Sequence, residues 1–142
     1  MTLKALIDSK KAELIYIDAA ATVLDAINNM TDKQVGSLLI RDQQGRLSGI
    51  LTERDILRFC ARHSSELSST LVGDIMTRNP VTAPAECSAE EAMTLMTNRR
   101  FRHLPIVEEG EILGMVSIGD LVKSRLKDVT VEVKYLRDYI SA

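Results

Sequence analysis

The sequence predicts an α/β (α+β) fold made of two copies of one β-α-β-β-α unit, related by a pseudo-twofold axis and followed by a C-terminal helix. The first observation is a repeated phrase, because GILTERDIL at residues 49–57 returns as GMVSIGDLV at 114–122. The second is that residues 15–40 align with 81–106 at an offset of 66. The third is the pattern of apolar residues, which predicts the same elements in the same order in both copies.

Each copy is predicted to begin with a short extended piece, near residues 14–17 and 80–83. An amphipathic helix follows, because apolar residues recur at positions i, i+3, i+4 and i+7. These residues are Val23, Ala26, Ile27 and Met30 in the first copy, and Ala89, Ala92, Met93 and Met96 in the second.

Two apolar runs around a glycine-containing turn come next in each copy, and this pattern predicts a β-hairpin. The runs are 36–41 with 47–51, and 103–107 with 111–116. The first turn is one residue longer, so the offset between the copies drops from 66 to 65. The second helix of each copy then begins at the Thr or Ser of the repeated phrase.

The repeat also predicts how the chain is organised. A unit of about 60 residues buries only a modest core, so two copies gain stability by covering each other's apolar faces. The predicted boundaries are an N-terminal helix at 1–10, a first repeat at 11–65, a second repeat at 76–126 and a C-terminal helix at 127–142.

The predicted C-terminal helix has a heptad-like apolar seam. It can pack on its own domain or against a second subunit. We favour the second subunit, and hence a homodimer, because the helix extends beyond the repeat that it would otherwise cover. The seam residues are Val122, Leu126, Val129, Val133, Leu136 and Ile140, at successive spacings of 4, 3, 4, 3 and 4.

The composition argues against several classes of protein. The chain has 142 residues, of which 45% are hydrophobic and 27% charged, and its formal net charge is -2. A nucleic-acid binder usually carries a basic face, so we expect none here. The apolar runs are too short to span a membrane, and the charged first residues lack the apolar core of a secretory signal. Cys60 and Cys87 make no disulfide framework, so we expect a cytoplasmic protein with reduced thiols.

A Thr/Ser-x-x-Asp motif stands at the predicted start of the second helix in each copy. One interpretation is a capping box, in which the hydroxyl accepts a hydrogen bond from a backbone N–H and the acid reaches back to the N-cap N–H. The local pattern favours capping, because a similar pattern opens the first helices too. The four pairs are Thr22 with Asp25, Thr52 with Asp55, Ser88 with Glu91, and Ser117 with Asp120.

The competing interpretation of the motif is a ligand site. A strand followed by a helix N-terminus favours anions, because unpaired N–H groups and the helix dipole point outward. A short carboxylate there can accept hydrogen bonds from both hydroxyls of a ribose, and a nearby hydroxyl or arginine can meet a phosphate. The stretch from Arg99 to His103 supplies arginines beside the strand at 104–107. The pseudo-symmetry is expected to bring both helix starts to one shared cleft.

Two stretches carry a resemblance to a known family. They are VGSLLIRDQQGRLSGILTERDIL and FRHLPIVEEGEILGMVSIGDLV, each preceded by an amphipathic helix that ends in Met. They resemble a pair of cystathionine-beta-synthase-type (CBS) domains, or Bateman module. The resemblance lies in their number, in their order and in the ending Gly-apolar-apolar-Thr/Ser-x-x-Asp that both share. The resemblance covers about residues 11–126. The combination of RFRHLP with SIGDLVK also resembles small stand-alone bacterial CBS-pair proteins.

The resemblance implies regulatory binding of AMP, ADP, ATP or NAD(H), and sometimes S-adenosylmethionine, in the cleft between the repeats. We expect no catalytic cofactor, and we expect the effect of binding to pass to a separate protein partner or to remain a matter of ligand buffering. The motif Asp would hold the ribose hydroxyls. Carried over to this sequence, one site comprises Thr52, Arg54 and Asp55, with Val81 beside the adenine. The other site comprises Ser117, Gly119 and Asp120, with Ile15 beside the adenine. The residues between the two sites, as backbone contacts and phosphate partners, are Gly36, Ser37, Arg102 and His103.

The two copies depart from each other, which predicts unequal sites. Leu39 stands where the family pattern has the proline that Pro105 keeps. Arg54 can meet a phosphate, whereas Gly119 at the matching position cannot. We therefore expect the Asp55 site to favour a charged phosphate, and a dinucleotide could use the cleft if both sites are filled.

Two other classes of function are weighed against a sensor. An enzyme is disfavoured because Cys60 and His63, one helical turn apart, are too few ligands for a zinc site. His103 is expected to be a phosphate contact or a surface histidine rather than a general base. The remaining alternative is a structural dimerisation module in which the motif acids only cap helices.

Overall fold

The structure is a computed structural model that describes residues 1–141. Its backbone contacts divide the chain into two units, each built around one sequence repeat. The repeat-1 unit comprises residues 12–82 and 107–112. The repeat-2 unit comprises residues 1–11, 83–106 and the chain from Leu113 onwards. The N-terminal segment therefore belongs with the second repeat.

The secondary structure confirms the predicted α/β fold class, with two β-α-β-β-α repeats and a C-terminal helix. The helices are α1 (Leu3–Lys10), α2 (Val23–Lys33), α3 (Glu53–His63), α4 (Val72–Ile75), α5 (Ala89–Arg99) and α6 (Ile118–Ser141), with a 3-10 turn at Ser64–Glu66. The strands are β1 (Ser37–Arg41), β2 (Leu47–Thr52), β3 (Thr77–Arg78), β4 (His103–Glu108) and β5 (Glu111–Ser117).

The first strand of each copy is shorter than predicted. The extended pieces near 14–17 and 80–83 form single parallel bridges, Tyr16 with Leu39 and Ala83 with Ile106. Conversely, the sequence pattern does not predict β3, which pairs antiparallel with β2 and places Thr77 opposite Ile50. A two-residue strand is too short to give an alternating pattern, so only its partner defines it.

The core of the repeat-1 unit lies between its sheet and α2. Leu38, Ile40 and Leu51 are fully buried there against Ala26 and Met30 of α2. Burial does not alternate along β1, although successive side chains of a strand point to opposite faces. Leu39 is also fully buried there. Its N–H donates to the carbonyl of Ile15 and its carbonyl accepts from the N–H of Ile17, both at 2.9 Å.

Helix α1 is part of the core of the repeat-2 unit. Its Leu3 is fully buried and its Leu6 nearly so. The Leu3 N–H donates to the carbonyl of Cys87 at 2.9 Å, and the Ala89 N–H donates to the carbonyl of Met1 at 2.9 Å. The start of the chain is therefore fixed to the segment that leads into α5.

None of the helices in residues 1–141 is long and apolar enough to cross a membrane.

The glycine that opens the repeated phrase allows another segment to pack closely on the strand. A Cβ added at Gly49 would lie 2.5 Å from the sulfur of Met76. A Cβ added at Gly114 would lie 2.7 Å from Cγ2 of Ile7, with two more Ile7 carbons at 3.0 Å. In each unit, the glycine therefore accommodates the segment that approaches the end of the hairpin.

Replacing Gly114 by alanine is expected to lower the free energy of unfolding by about 1–3 kcal/mol, because the methyl group overpacks the contact with Ile7. Gly119→Ala is the matched control, since its added Cβ would meet only Ser117 Oγ at 3.5 Å, an ordinary contact. Chemical denaturation of both variants measures the difference. Equal stability of Gly114→Ala and wild type would contradict the packing of α1 on β5.

Candidate functional site

The Thr-x-x-Asp motif of the first copy forms a complete capping box at the start of α3. The Asp55 N–H donates to Thr52 Oγ1 at 3.3 Å, and the Thr52 N–H donates to Asp55 Oδ2 at 2.9 Å. The Thr52 hydroxyl lies 3.1 Å from the same carboxylate oxygen. The capping interpretation therefore holds for this motif.

The second copy repeats the arrangement at the start of α6. The Ser117 N–H donates to Asp120 Oδ2 at 2.9 Å, and the Asp120 N–H donates to Ser117 Oγ at 3.0 Å. In both motifs the cap uses only one carboxylate oxygen, Oδ2, and both acids are partly buried. Capping and ligand binding are therefore compatible roles for one carboxylate, rather than exclusive ones.

The first helices of the two repeats are capped less uniformly. Thr22 and Asp25 form both bonds of a capping box. Ser88 accepts a hydrogen bond from the Glu91 N–H at 3.0 Å. The Ser88 N–H makes no reciprocal bond to the Glu91 carboxylate, so this predicted box is only half formed.

A backbone hydrogen bond links the start of each hairpin to the start of the helix that follows it. The Glu53 N–H donates to the carbonyl of Gly36 at 3.1 Å, and the Ile118 N–H donates to the carbonyl of Arg102 at 2.9 Å. Ser37 is buried and lies opposite Thr52 in the sheet. The repeat-1 unit thus gathers four predicted site residues, Gly36, Ser37, Thr52 and Asp55.

Thr77 joins this group, although the sequence analysis did not select it. Its hydroxyl donates to Asp55 Oδ1 at 3.4 Å, near the limit for a hydrogen bond. Strand β3 positions Thr77 by pairing it with Ile50 of β2. The second carboxylate oxygen of Asp55 therefore faces a neutral and weakly held hydroxyl.

The carboxylate of Asp120 has a different neighbour. Lys10, the last residue of α1, donates its Nζ to Asp120 Oδ2 at 2.7 Å and to the carbonyl of Met115 at 3.2 Å. Partial burial raises the pKa of Asp120, but the hydrogen bonds from Lys10 and Ser117 and the Lys10 charge outweigh it, so the pKa lies below its ordinary value. The sequence analysis missed Lys10, because its partner is 110 residues away.

The other predicted site residues are more exposed or serve the fold. Arg54 and Gly119 are exposed in the first turns of α3 and α6. Val81 is partly exposed in the repeat-1 unit. Ile15 packs against the core of that unit. His103 is partly buried at the first position of β4.

Two cavities lie between helices, and one of them reaches the predicted site residue Gly36. One of about 470 Å³ is lined by residues of α2 and α3, including Met30, Ile56 and Leu57. One of about 490 Å³ is lined by residues of α5 and α6 together with Met1. Neither lining includes Asp55 or Asp120.

Across residues 1–141, no three His, Cys, Asp or Glu side chains cluster in a way that could hold a metal ion.

Comparison with known proteins assigns the architecture to a family. The sequence model of the CBS domain matches residues 7–62 and 72–127. The chain is 41% identical over 123 residues to the CBS domain-containing protein CBSX3, mitochondrial, of Arabidopsis thaliana. That alignment covers 84% of this chain but 60% of the relative, so the chain spans less than two thirds of that protein.

Solved structures agree with this assignment. The CBS-domain containing protein ATU1752 from Agrobacterium tumefaciens superposes with a TM-score of 0.84 at 30% identity, covering 88% of this chain and 99% of that one. The structure of CBSX2 in complex with AMP superposes with a TM-score of 0.75 at 26% identity, covering 89% and 96%. With two family matches that span most of its length, the chain belongs to the CBS-domain family and carries a tandem pair of CBS domains.

Proposed function

We propose that this chain is a regulatory module that senses adenosine-containing nucleotides, AMP, ADP, ATP or NAD(H), and signals to a separate protein partner. The observation that carries the proposal is the same in both repeats. A partly buried carboxylate at a helix start closes the cap with Oδ2, and the cap does not use Oδ1. A ribose presents two hydroxyl donors to such a group.

The surroundings of Asp55 suit the rest of a nucleotide. The first turn of α3 offers the positive end of a helix dipole, which favours phosphate oxygens. Arg54 is exposed in that turn and can meet a phosphate. The relative CBSX2, solved in complex with AMP, supports a ligand of this class. We assign a sensing role rather than catalysis, and a cytoplasmic location in keeping with two unpaired cysteines.

Thermal denaturation with AMP, ADP, ATP, NAD⁺, NADH and S-adenosylmethionine tests the proposal. A ligand present at one hundred times its dissociation constant is expected to stabilise the fold by about 2.7 kcal/mol. Guanosine and cytidine monophosphates, at the same concentration, control for general effects of nucleotides. The absence of a shift with every adenosine compound would overturn the sensing role.

A second candidate is a structural dimerisation module in which the motif acids only cap helices. Its supporting observation is the seam of α6, whose residues from Val122 to Ile140 are all exposed, by 40% to 80%. We also infer a homodimer through this seam for the sensing module. The two candidates differ in what Asp55 does, and the Asp55 variant described in the Discussion separates them.

A further inference from the structure

Each motif acid has a neighbour from a segment distant in the sequence. In the repeat-1 unit, Thr77 lies 3.4 Å from Asp55. In the repeat-2 unit, Lys10 lies 2.7 Å from Asp120. The repeat offset of 66 relates Met76 and Thr77 to Lys10 and Lys11, so the two neighbours come from equivalent segments. Thr77 itself aligns with Lys11 rather than with Lys10, so the two acids have chemically different neighbours from aligned segments.

The chemical difference concerns the group that a ribose would need. Thr77 is a neutral donor at a long distance, so it places no positive charge beside Asp55. The ammonium of Lys10 makes a short, charge-assisted hydrogen bond to Asp120 Oδ2, the oxygen that also closes the cap, so its positive charge lies beside the carboxylate that a ribose would need. Because it is paired with the Lys10 ammonium, the Asp120 carboxylate is a weaker acceptor for a further hydrogen-bond donor.

Lys10 is also held in its position. Its ammonium has a second acceptor, the carbonyl of Met115. Its helix is anchored to the same unit by the buried Leu3 and Leu6, and Ile7 packs against Gly114. The Lys10 side chain is 32% exposed, so it is held beside the carboxylate but remains accessible to solvent.

We propose that Lys10 is a built-in competitor for the ribose at Asp120, so that the second site binds adenosine nucleotides more weakly than the first until Lys10 is displaced. This inference rests on the proposed function. It attributes the unequal nucleotide affinities of the two sites to a residue of α1, in addition to the difference between Arg54 and Gly119. A partly exposed ion pair is a modest competitor, so its removal is expected to tighten binding by up to about fivefold.

Calorimetric titration of the full chain with adenosine and with AMP tests the role of Lys10. Asp55→Asn serves as the background, because it weakens binding at the first site. In that background, Lys10→Met, which keeps the length of the side chain and removes its charge, is expected to tighten both ligands about equally. Lys10→Arg is expected to retain weak binding, because it keeps the competing charge. Lys11→Met, at the adjacent exposed lysine, is the matched control and is expected to leave both affinities unchanged.

The outcomes separate this inference from the proposed function. Unchanged adenosine binding in Lys10→Met, while the wild-type chain binds AMP, overturns the competitor and leaves the sensing role standing. Weaker AMP binding with unchanged adenosine binding also overturns it, since Lys10 would then be a phosphate ligand. If neither the wild-type chain nor Lys10→Met binds any adenosine compound, both proposals fail.

Discussion

Replacing Asp55 by asparagine is expected to weaken adenosine nucleotide binding at the first site about tenfold to hundredfold. A hydrogen bond to a charged group contributes about 1.5–3 kcal/mol, and the substitution removes the charge that the ribose hydroxyls would meet. The free energy of unfolding should fall by about 1 kcal/mol or less, because an amide oxygen can still accept from the Thr52 N–H. Calorimetric titration measures the first effect and chemical denaturation the second.

Asp25→Asn is the matched control for this variant. Asp25 closes the same kind of capping box with Thr22 on α2, and it lies outside the predicted site residues. It should lose a similar amount of stability and keep the wild-type affinity. Equal affinities for the two variants would mean that Asp55 only caps its helix, which is the structural alternative.

The sequence predicted those parts of the fold that depend on local patterns. The periodic apolar residues and the Thr/Ser-x-x-Asp motifs lie within one or two helical turns, so α2, α3, α5 and three full capping boxes could be identified from the sequence. Elements defined by distant partners could not be identified in this way. Strand β3 depends on its pairing with β2, and the attachment of α1 depends on the hydrogen bonds from Leu3 to Cys87 and from Ala89 to Met1.

The same distinction applies to the candidate site. The repeated phrase locates the motif acids, because it records the same helix start twice. It does not reveal Thr77 or Lys10, because each belongs to a segment outside the phrase. The internal alignment contains a usable signal, since Met76-Thr77 and Lys10-Lys11 occupy equivalent positions. A residue found beside one motif acid therefore indicates, to within one position, where to look beside the other.

Ending the chain after Lys127 is expected to convert a dimer into a monomer and so to halve the mass measured by light scattering. Helix α6 runs from Ile118 to Ser141. The exposed seam continues at Val129, Val133, Leu136 and Ile140, all of which the truncation removes. Seam residues of this kind bury their surface when two helices pair.

Two point variants provide a matched test of the seam. Leu126 is 62% exposed and lies on the seam, whereas Val131 is 63% exposed and lies off it. Leu126→Lys is expected to dissociate the dimer, because it places a charge between the paired helices, and Val131→Lys is not. An unchanged mass for both the truncated chain and Leu126→Lys would show that other surfaces hold the subunits together.

The charges beside the seam favour a parallel pair of helices. With Leu126 and Val133 at the a positions of the heptad, Glu132 is at g and Arg137 at the following e. A parallel pair brings Glu132 of one copy beside Arg137 of the other, and such pairs set helix orientation. An antiparallel pair with the same apolar layers brings Glu132 beside Glu132. Glu132→Arg should therefore weaken the dimer, and the double variant Glu132→Arg with Arg137→Glu should restore it. An antiparallel pair, in contrast, would not lose stability from Glu132→Arg alone.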